Sequence, residues 1–216
     1  MTDADSGPTP ETTDRIEIYA DYVCPFCYLG TRSLAQYRED RDEPLTVDWH
    51  PFDLRSGKRN PDGSIDHDVD DGKGDEYYEQ ARQNVRRLQE EYGVEMAQEI
   101  ATDVDSFDAQ VASWYVKGEY PEQWGAFDEA IYTALWQDGR DIGDVDVLAD
   151  LADDCGLPVD EIRDAVADDG IRAELEDLFA EAQQTGVTGV PTFVSDGHVA
   201  RGAVPPEHVA RLVDGQ

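Results

Sequence analysis

Apolar and polar residues alternate with a period of two in "RIEIYA". Ile16, Ile18 and Ala20 fall on one face and Arg15, Glu17 and Tyr19 on the other, as in a strand with one better-buried side. From Pro25 to about Asp40 the period lengthens, with Leu29, Leu34 and Tyr37 at roughly helical spacing, and "LTVDWHPF" then returns to strand character. The pattern predicts a β-α-β unit. Residues 55–75, "RSGKRNPDGSIDHDVDDGKGD", are dense in Gly, Asp, Asn and Pro and predict a long loop or a boundary. Helical spacing then holds to about Gln184. Tyr78, Ala81, Val85, Leu88 and Tyr92 step by three and four, and so do Trp124, Phe127, Ile131 and Leu135. Five or six helices are predicted here, among them "IRAELEDLFAEAQQTG" with Ile171, Leu175, Leu178, Phe179 and Ala182 on one face. The chain closes with a short strand at "PTFV", a turn at "SDG", a strand at "HVARG" and a proline-started helix at "PPEHVARLV".

With 216 residues, 39% of them hydrophobic, the chain is long enough for one substantial core or for a core with an inserted subdomain. Its charge is extreme: 50 Asp and Glu against 17 Lys and Arg give a net charge of -33, and only Lys58, Lys73 and Lys117 are lysines. Near 1 M salt the Debye length falls to about 3 Å and most of this self-repulsion is screened, so a salt-adapted protein from the cytoplasm of a halophile is expected. Most carboxylates then form a solvated surface, and nucleic acid and anionic membranes are excluded as partners. Residues 1–14 predict a disordered acidic tail without the basic and apolar regions of a secretory signal. No apolar run approaches the ~18 residues of a membrane span.

Two of the three cysteines lie three apart at the first strand-to-helix junction, in "DYVCPFCYLG". Pro25 suits the first helical position, which makes Cys24 the cap residue with its sulfur facing unpaired backbone N–H groups. Those donors and the helix dipole favour the thiolate, so Cys24 is expected to attack while Cys27, one turn further in, resolves. A zinc site would need two more ligands, and neither Cys155 nor the four histidines (His50, His67, His198, His208) supply a partner pair, so no metal is expected. Late in the chain "TGVTGVPTFV" places a Val-Pro bond at a strand start. In cis it turns the Val190 backbone toward the dithiol, where an extended substrate can pair; in trans it is an ordinary edge-strand proline. The residues alone leave both open.

"DYVCPFCYLG" and "TGVTGVPTFV" on either side of a helical block resemble the DsbA family of thioredoxin-fold proteins, and "WHPFDL", "SFDAQ" and "DIGDVDVLADLADDCGL" resemble its FrnE-like branch. The resemblance implies an α/β, thioredoxin-like fold made of residues 15–55 and 186–214, with a loop and an all-helical insertion over 56–185. It implies a redox pair of Cys24 and Cys27, with no cofactor beyond their disulfide, and a cis bond at Val190-Pro191. Pro25, Phe26, Val190 and Pro191 are the implied substrate contacts, and Asp21 matches a branch position near the site. The activity implied is exchange of disulfides with protein thiols or a small thiol, and homodimerisation is left open. Well-known periplasmic members carry His between the cysteines; Pro25 and Phe26 stand here instead, which implies a weaker oxidant.

Two other functions fit the same scaffold. One is a glutathione-linked transferase or 2-hydroxychromene-2-carboxylate isomerase, although such relatives generally have no resolving cysteine. The other is a redox-sensing, holdase-like binding module. Residues 66–77 fail a calcium-loop pattern, with Asp71 in place of its Gly and Tyr77 in place of its Glu. Cys155, Trp114, Trp124 and Trp136 read as core, and no triad includes His198. The acidic field should oppose acidic substrates over a Debye length, which leaves apolar contact at Phe26 and Val190 as the expected basis of docking.

Overall fold

The computed structural model describes residues 14–60, 63–66, 68–69 and 72–215. Strand β1 (Asp14–Ala20) pairs in parallel with β2 (Leu45–Pro51), with Ile16 opposite Val47 and Ile18 opposite Trp49. The other neighbour of β1 is antiparallel β3 (Thr192–Ser195), followed by antiparallel β4 (His198–Arg201), so the sheet order is β2-β1-β3-β4. The alternation legible in β1 is its burial pattern: Ile16, Ile18 and Ala20 are buried and Arg15 is exposed. The strand starts one residue inside the expected acidic tail, because Asp14 lies opposite Leu45. The rest of that tail, and positions 67, 70 and 71 of the rejected calcium loop, lie outside the described residues.

Between β1 and β2 runs helix α1 (Pro25–Glu39), and the chain ends in α8 (Pro206–Asp214), which packs on α1 and on the sheet. The β3–β4 turn uses Asp196 and Gly197, both at positive φ (47° and 78°), the conformation a two-residue hairpin requires. Among the described residues a short 3-10 turn (Ser56–Lys58) and six α-helices separate β2 from β3: α2 (Asp75–Tyr92), α3 (Phe107–Glu119), α4 (Pro121–Trp136), α5 (Val145–Asp154), α6 (Val159–Ala167) and α7 (Asp169–Gln184). This is an α/β thioredoxin-like fold with an inserted helical block. Helix α7 returns to pack on β2, and α3 meets α4, α6 and α7.

One continuous core joins the sheet to the insertion, with Ile16, Ile18, Tyr22, Tyr28 and Phe193 on one side and Phe127, Ile131, Tyr132 and Trp136 on the other. The close approach of α1 to β3 depends on Gly30: a Cβ there would stand 3.2 Å from both the Phe193 and Pro191 rings. Trp136 is fully buried as expected, but Trp114 and Trp124 are only partly so. Lys117 lies beside both, its ammonium 5.3 and 5.8 Å from the two ring centroids while bonding Asp48 and the Trp49 carbonyl.

Candidate active site

The turn after β1 is short. The Cys24 N–H donates to the Asp21 carbonyl at 3.1 Å, and Cys24 then caps α1 in an extended conformation with Pro25 at the first helical position. The Cys27 N–H donates to the Cys24 sulfur at 3.4 Å, so negative charge developing on that sulfur meets a backbone donor and the positive end of α1. Both thiols are free; Cys24 is 4% exposed and Cys27 is 0% exposed. Burial, reinforced by its hydrogen bond to Cys24 and the proximity of that sulfur, pushes the Cys27 thiol well above the usual thiol range. One thiol is thus at the surface of a cleft and the other behind it.

The Val190-Pro191 peptide is cis, and the Cys24 thiol faces the Val190 carbonyl at 3.6 Å. Cys24, Pro25, Phe26 and Val190 therefore share one cleft, while Pro191 packs beneath it against Gly30 of α1. Cys155 lies elsewhere, half-buried at the C-cap of α5, and is not fully buried as its helical phase had implied.

Asp21 is fully buried, and its carboxylate accepts from Val23 N–H at 3.1 Å, from Leu54 N–H at 2.9 Å and from the Ser106 hydroxyl. It thereby ties the cysteine turn to the segment after β2 and to the start of α3. Burial, and after it the neighbouring Asp53, lifts the Asp21 carboxyl to about 6. Asp53 is held in turn by Arg59, which also bonds Asp105. Asp53 and Leu54 lie in "WHPFDL" and Ser106 in "SFDAQ", which sequence reading marked as resemblance without giving these residues a role, and Arg59 was not marked. The "SFDAQ" segment held the signal, because Ser106 and Gln110 both approach Asp21, the latter at 3.5 Å.

Tyr22, next in the same turn, anchors it to the insertion through a chain of hydrogen bonds. Trp124 Nε1 donates to Ser113 Oγ at 3.0 Å, Ser113 bonds the Tyr22 hydroxyl at 2.7 Å, and Tyr22 donates to Asp128 at 2.7 Å. Trp136 Nε1 donates to the Tyr22 carbonyl at 2.8 Å. Replacing Tyr22 with Phe strands Ser113 and Asp128 and is expected to cost about 1–3 kcal/mol. Urea unfolding of the variant measures it, and an unchanged midpoint would show the chain of bonds to be dispensable.

The cleft beside Cys24 has a volume of about 390 Å³. Tyr77, Tyr78, Ile100 and Ala101 form much of its wall, and three cations border it: Arg55, Lys58 and Lys73. Sequence reading missed these cations, because they sit in the loop that composition marked only as a boundary. Among the described residues no group of three or more His, Cys, Asp or Glu is placed to hold a metal ion, and no helix is long and apolar enough to cross a membrane.

A sheet of this order, a helical block between β2 and β3, and a dithiol at the first helix N-terminus define a thioredoxin-fold protein of the DsbA type. The chain belongs to the DSBA-like thioredoxin domain family, whose model matches residues 15–214. Bacillus subtilis (strain 168) YwbO is 29% identical to it over 195 residues, which is 88% of this chain and 91% of the relative. Among solved structures, a probable DsbA oxidoreductase from Streptomyces coelicolor superposes with a TM-score of 0.74 at 24% identity, covering 94% of this chain and 91% of that one. A 2-hydroxychromene-2-carboxylate isomerase gives 0.73 at 17% identity, covering 93% of each chain. The cytosolic disulfide reductase DsbM from Pseudomonas aeruginosa, solved with GSH, gives 0.61 at 19% identity, covering 92% of each. At these identities the structures establish the shared fold.

Proposed function

We propose that the protein is a cytoplasmic thiol-disulfide oxidoreductase of the FrnE-like branch, exchanging disulfides with proteins or a small thiol through Cys24 and Cys27. The observation that carries this reading is the pair itself: Cys24 borders an open cleft, and Cys27, buried one helical turn behind, sends its N–H to the Cys24 sulfur at 3.4 Å. In the reducing direction the Cys24 thiolate attacks a substrate disulfide. A Cys24–substrate S–S bond forms, the substrate S–S bond breaks, and the leaving thiolate takes the electron pair and then a proton from water. Cys27 next gives up its proton and attacks the Cys24 sulfur, closing the intramolecular disulfide and releasing the second substrate thiolate. Two electrons pass from the dithiol to the substrate, and the oxidising direction is the reverse. The Val190 carbonyl and the side chains of Phe26 and Pro25 hold the substrate chain beside the sulfur.

A second reading, a glutathione-linked isomerase or transferase, draws on the cleft, whose volume suits a small molecule beside Cys24. Exchange and isomerisation differ in stoichiometry. Mixed with bis(2-hydroxyethyl) disulfide, the reduced protein should lose two thiols and release two equivalents of mercaptoethanol, with Cys24–Cys27 found by peptide mapping. A stable single adduct on Cys24, or no reaction, would remove the exchange reading.

A further inference from the structure

Tyr22, Tyr28, Tyr37 and Tyr92 are buried, and each hydroxyl has a hydrogen-bond partner: Ser113 and Asp128 for the first, then Gln137, Asp214 and the Ala203 carbonyl for the others. Tyr132, on α4, is the exception. It is 1% exposed, and its hydroxyl has no hydrogen-bond partner among the described residues. A buried hydroxyl left unpaired destabilises a fold, and phenylalanine would fill the same space without that cost. The place of Tyr132 in the core shows what such a hydroxyl can serve. Its ring centroid lies 4.7 Å from that of Tyr22 and 6.0 Å from that of Tyr28, which stand two residues before Cys24 and directly after Cys27. Burial, and after it the charges of Cys27, Asp128, Tyr22 and Cys24 in that order, push the hydroxyl well above the usual phenol range. It therefore keeps its proton at any working pH and faces the dithiol as a donor.

We propose that Tyr132 is a catalytic residue of the second step of exchange: its neutral hydroxyl donates a hydrogen bond to the Cys27 sulfur as that sulfur becomes a thiolate. The proposal rests on the exchange reading. Cys27 is the sulfur in need of such a donor, because it is fully buried and the Cys24 sulfur and the Asp21 carboxylate both oppose its charge, while the Asp21 N–H favours it. In the step itself Cys27 loses its proton, its electron pair forms the Cys24–Cys27 bond, and the Cys24–substrate S–S bond breaks. The substrate sulfur leaves with that electron pair, and the proton from Cys27 ends on it by way of solvent. Tyr132 keeps its own proton throughout. Hydrogen bonds to a reacting atom are often long at rest and tighten as charge develops, so an unpaired hydroxyl near a protonated thiol is the expected resting arrangement.

The test is Tyr132→Phe, which removes the hydroxyl and keeps the ring, with far-UV CD confirming the fold. Mixed disulfide formed with bis(2-hydroxyethyl) disulfide is trapped by acid at successive times and followed by intact mass across neutral and mildly alkaline pH. Its clearance by Cys27 should be about tenfold slower in the variant, with the pH profile displaced upward by about one unit, whereas its formation by Cys24 should move less than about twofold. A second reading needs no exchange: with Cys24 capped by iodoacetamide, carbon NMR of the Cys27 β-carbon should show titration beginning about one pH unit higher in the variant. The urea midpoint of the reduced variant, with Cys27 protonated, should equal or exceed that of the wild type, the opposite of the effect expected for Tyr22→Phe. An unmoved Cys27 titration overturns the proposal even where clearance slows, because a loosened core slows the step without changing the charge balance at the sulfur; a lower urea midpoint alongside it marks the hydroxyl as a structural one. If the wild type closes no Cys24–Cys27 disulfide, the exchange reading fails, and the NMR titration alone decides whether Tyr132 serves the Cys27 sulfur.

Discussion

Cys24→Ser should abolish disulfide exchange, lowering the rate by at least about 10³-fold, because a hydroxyl at near-neutral pH offers almost no anionic nucleophile. Cys27→Ser should instead react once and stop, accumulating a mixed disulfide on Cys24. The asymmetry follows from the positions of the two sulfurs: Cys24 borders the cleft and receives a backbone N–H, while Cys27 is wholly buried behind it. Because burial holds the Cys27 thiol well above the usual range, its deprotonation limits resolution, and wild-type mixed disulfide should clear faster as pH rises. Trapping by acid quench and intact-mass analysis reads both variants directly. Adducts on Cys27 in the Cys24→Ser variant, or equal activity in the two, would reverse the assignment.

The protein should become more stable as pH falls from about 7 toward 5, the second large effect. Asp21 is raised from 3.8 to about 6 by burial, so the folded state prefers its neutral form. A carboxyl whose folded value lies above its unfolded one contributes stability that is fully present below the unfolded value and is lost as pH rises through the folded value. The window here is about pH 4 to 6. A rise of that size is equivalent to about 3 kcal/mol at most for Asp21. Asp128, which is also pushed up to about 6 by burial but keeps some contact with solvent, adds a smaller amount of the same sign. Below this window Asp48 and Asp105, held low by Lys117 and Arg59, begin to lose their ion pairs, which turns the profile down again. Long-range repulsion within the acidic chain has the same sign, so the measurement belongs in molar salt, where that part is screened and local burial is not. Urea midpoints at pH 5, 6 and 7 give the slope, and carbon NMR of the Asp21 carboxyl should titrate near 6. A flat profile, or an Asp21 midpoint near 4, would contradict it.

Sequence alone determined what depends on neighbours along the chain. Alternation in "RIEIYA" is strand β1, three-and-four spacing gives helices through Gln184, and Pro25 after Cys24 makes the cap, because backbone preference and amphipathic period act over a few residues. The pairing of the early dithiol with Val190, 166 residues later, is legible from a family resemblance and not from any local pattern. Tertiary structure decided the rest. Ser106 reaches Asp21 across 85 positions and Asp128 reaches Tyr22 across 106, so the resemblance marked Asp21 without its partners, and Asp128 looked like one more acid on an acidic surface. Arg55, Lys58 and Lys73 were loop residues until the end of β2, α2 and the segment before α3 came together around Cys24. Charge acts through space, so which of the chain's few bases border the cleft is decided by folding and not by neighbours along the chain.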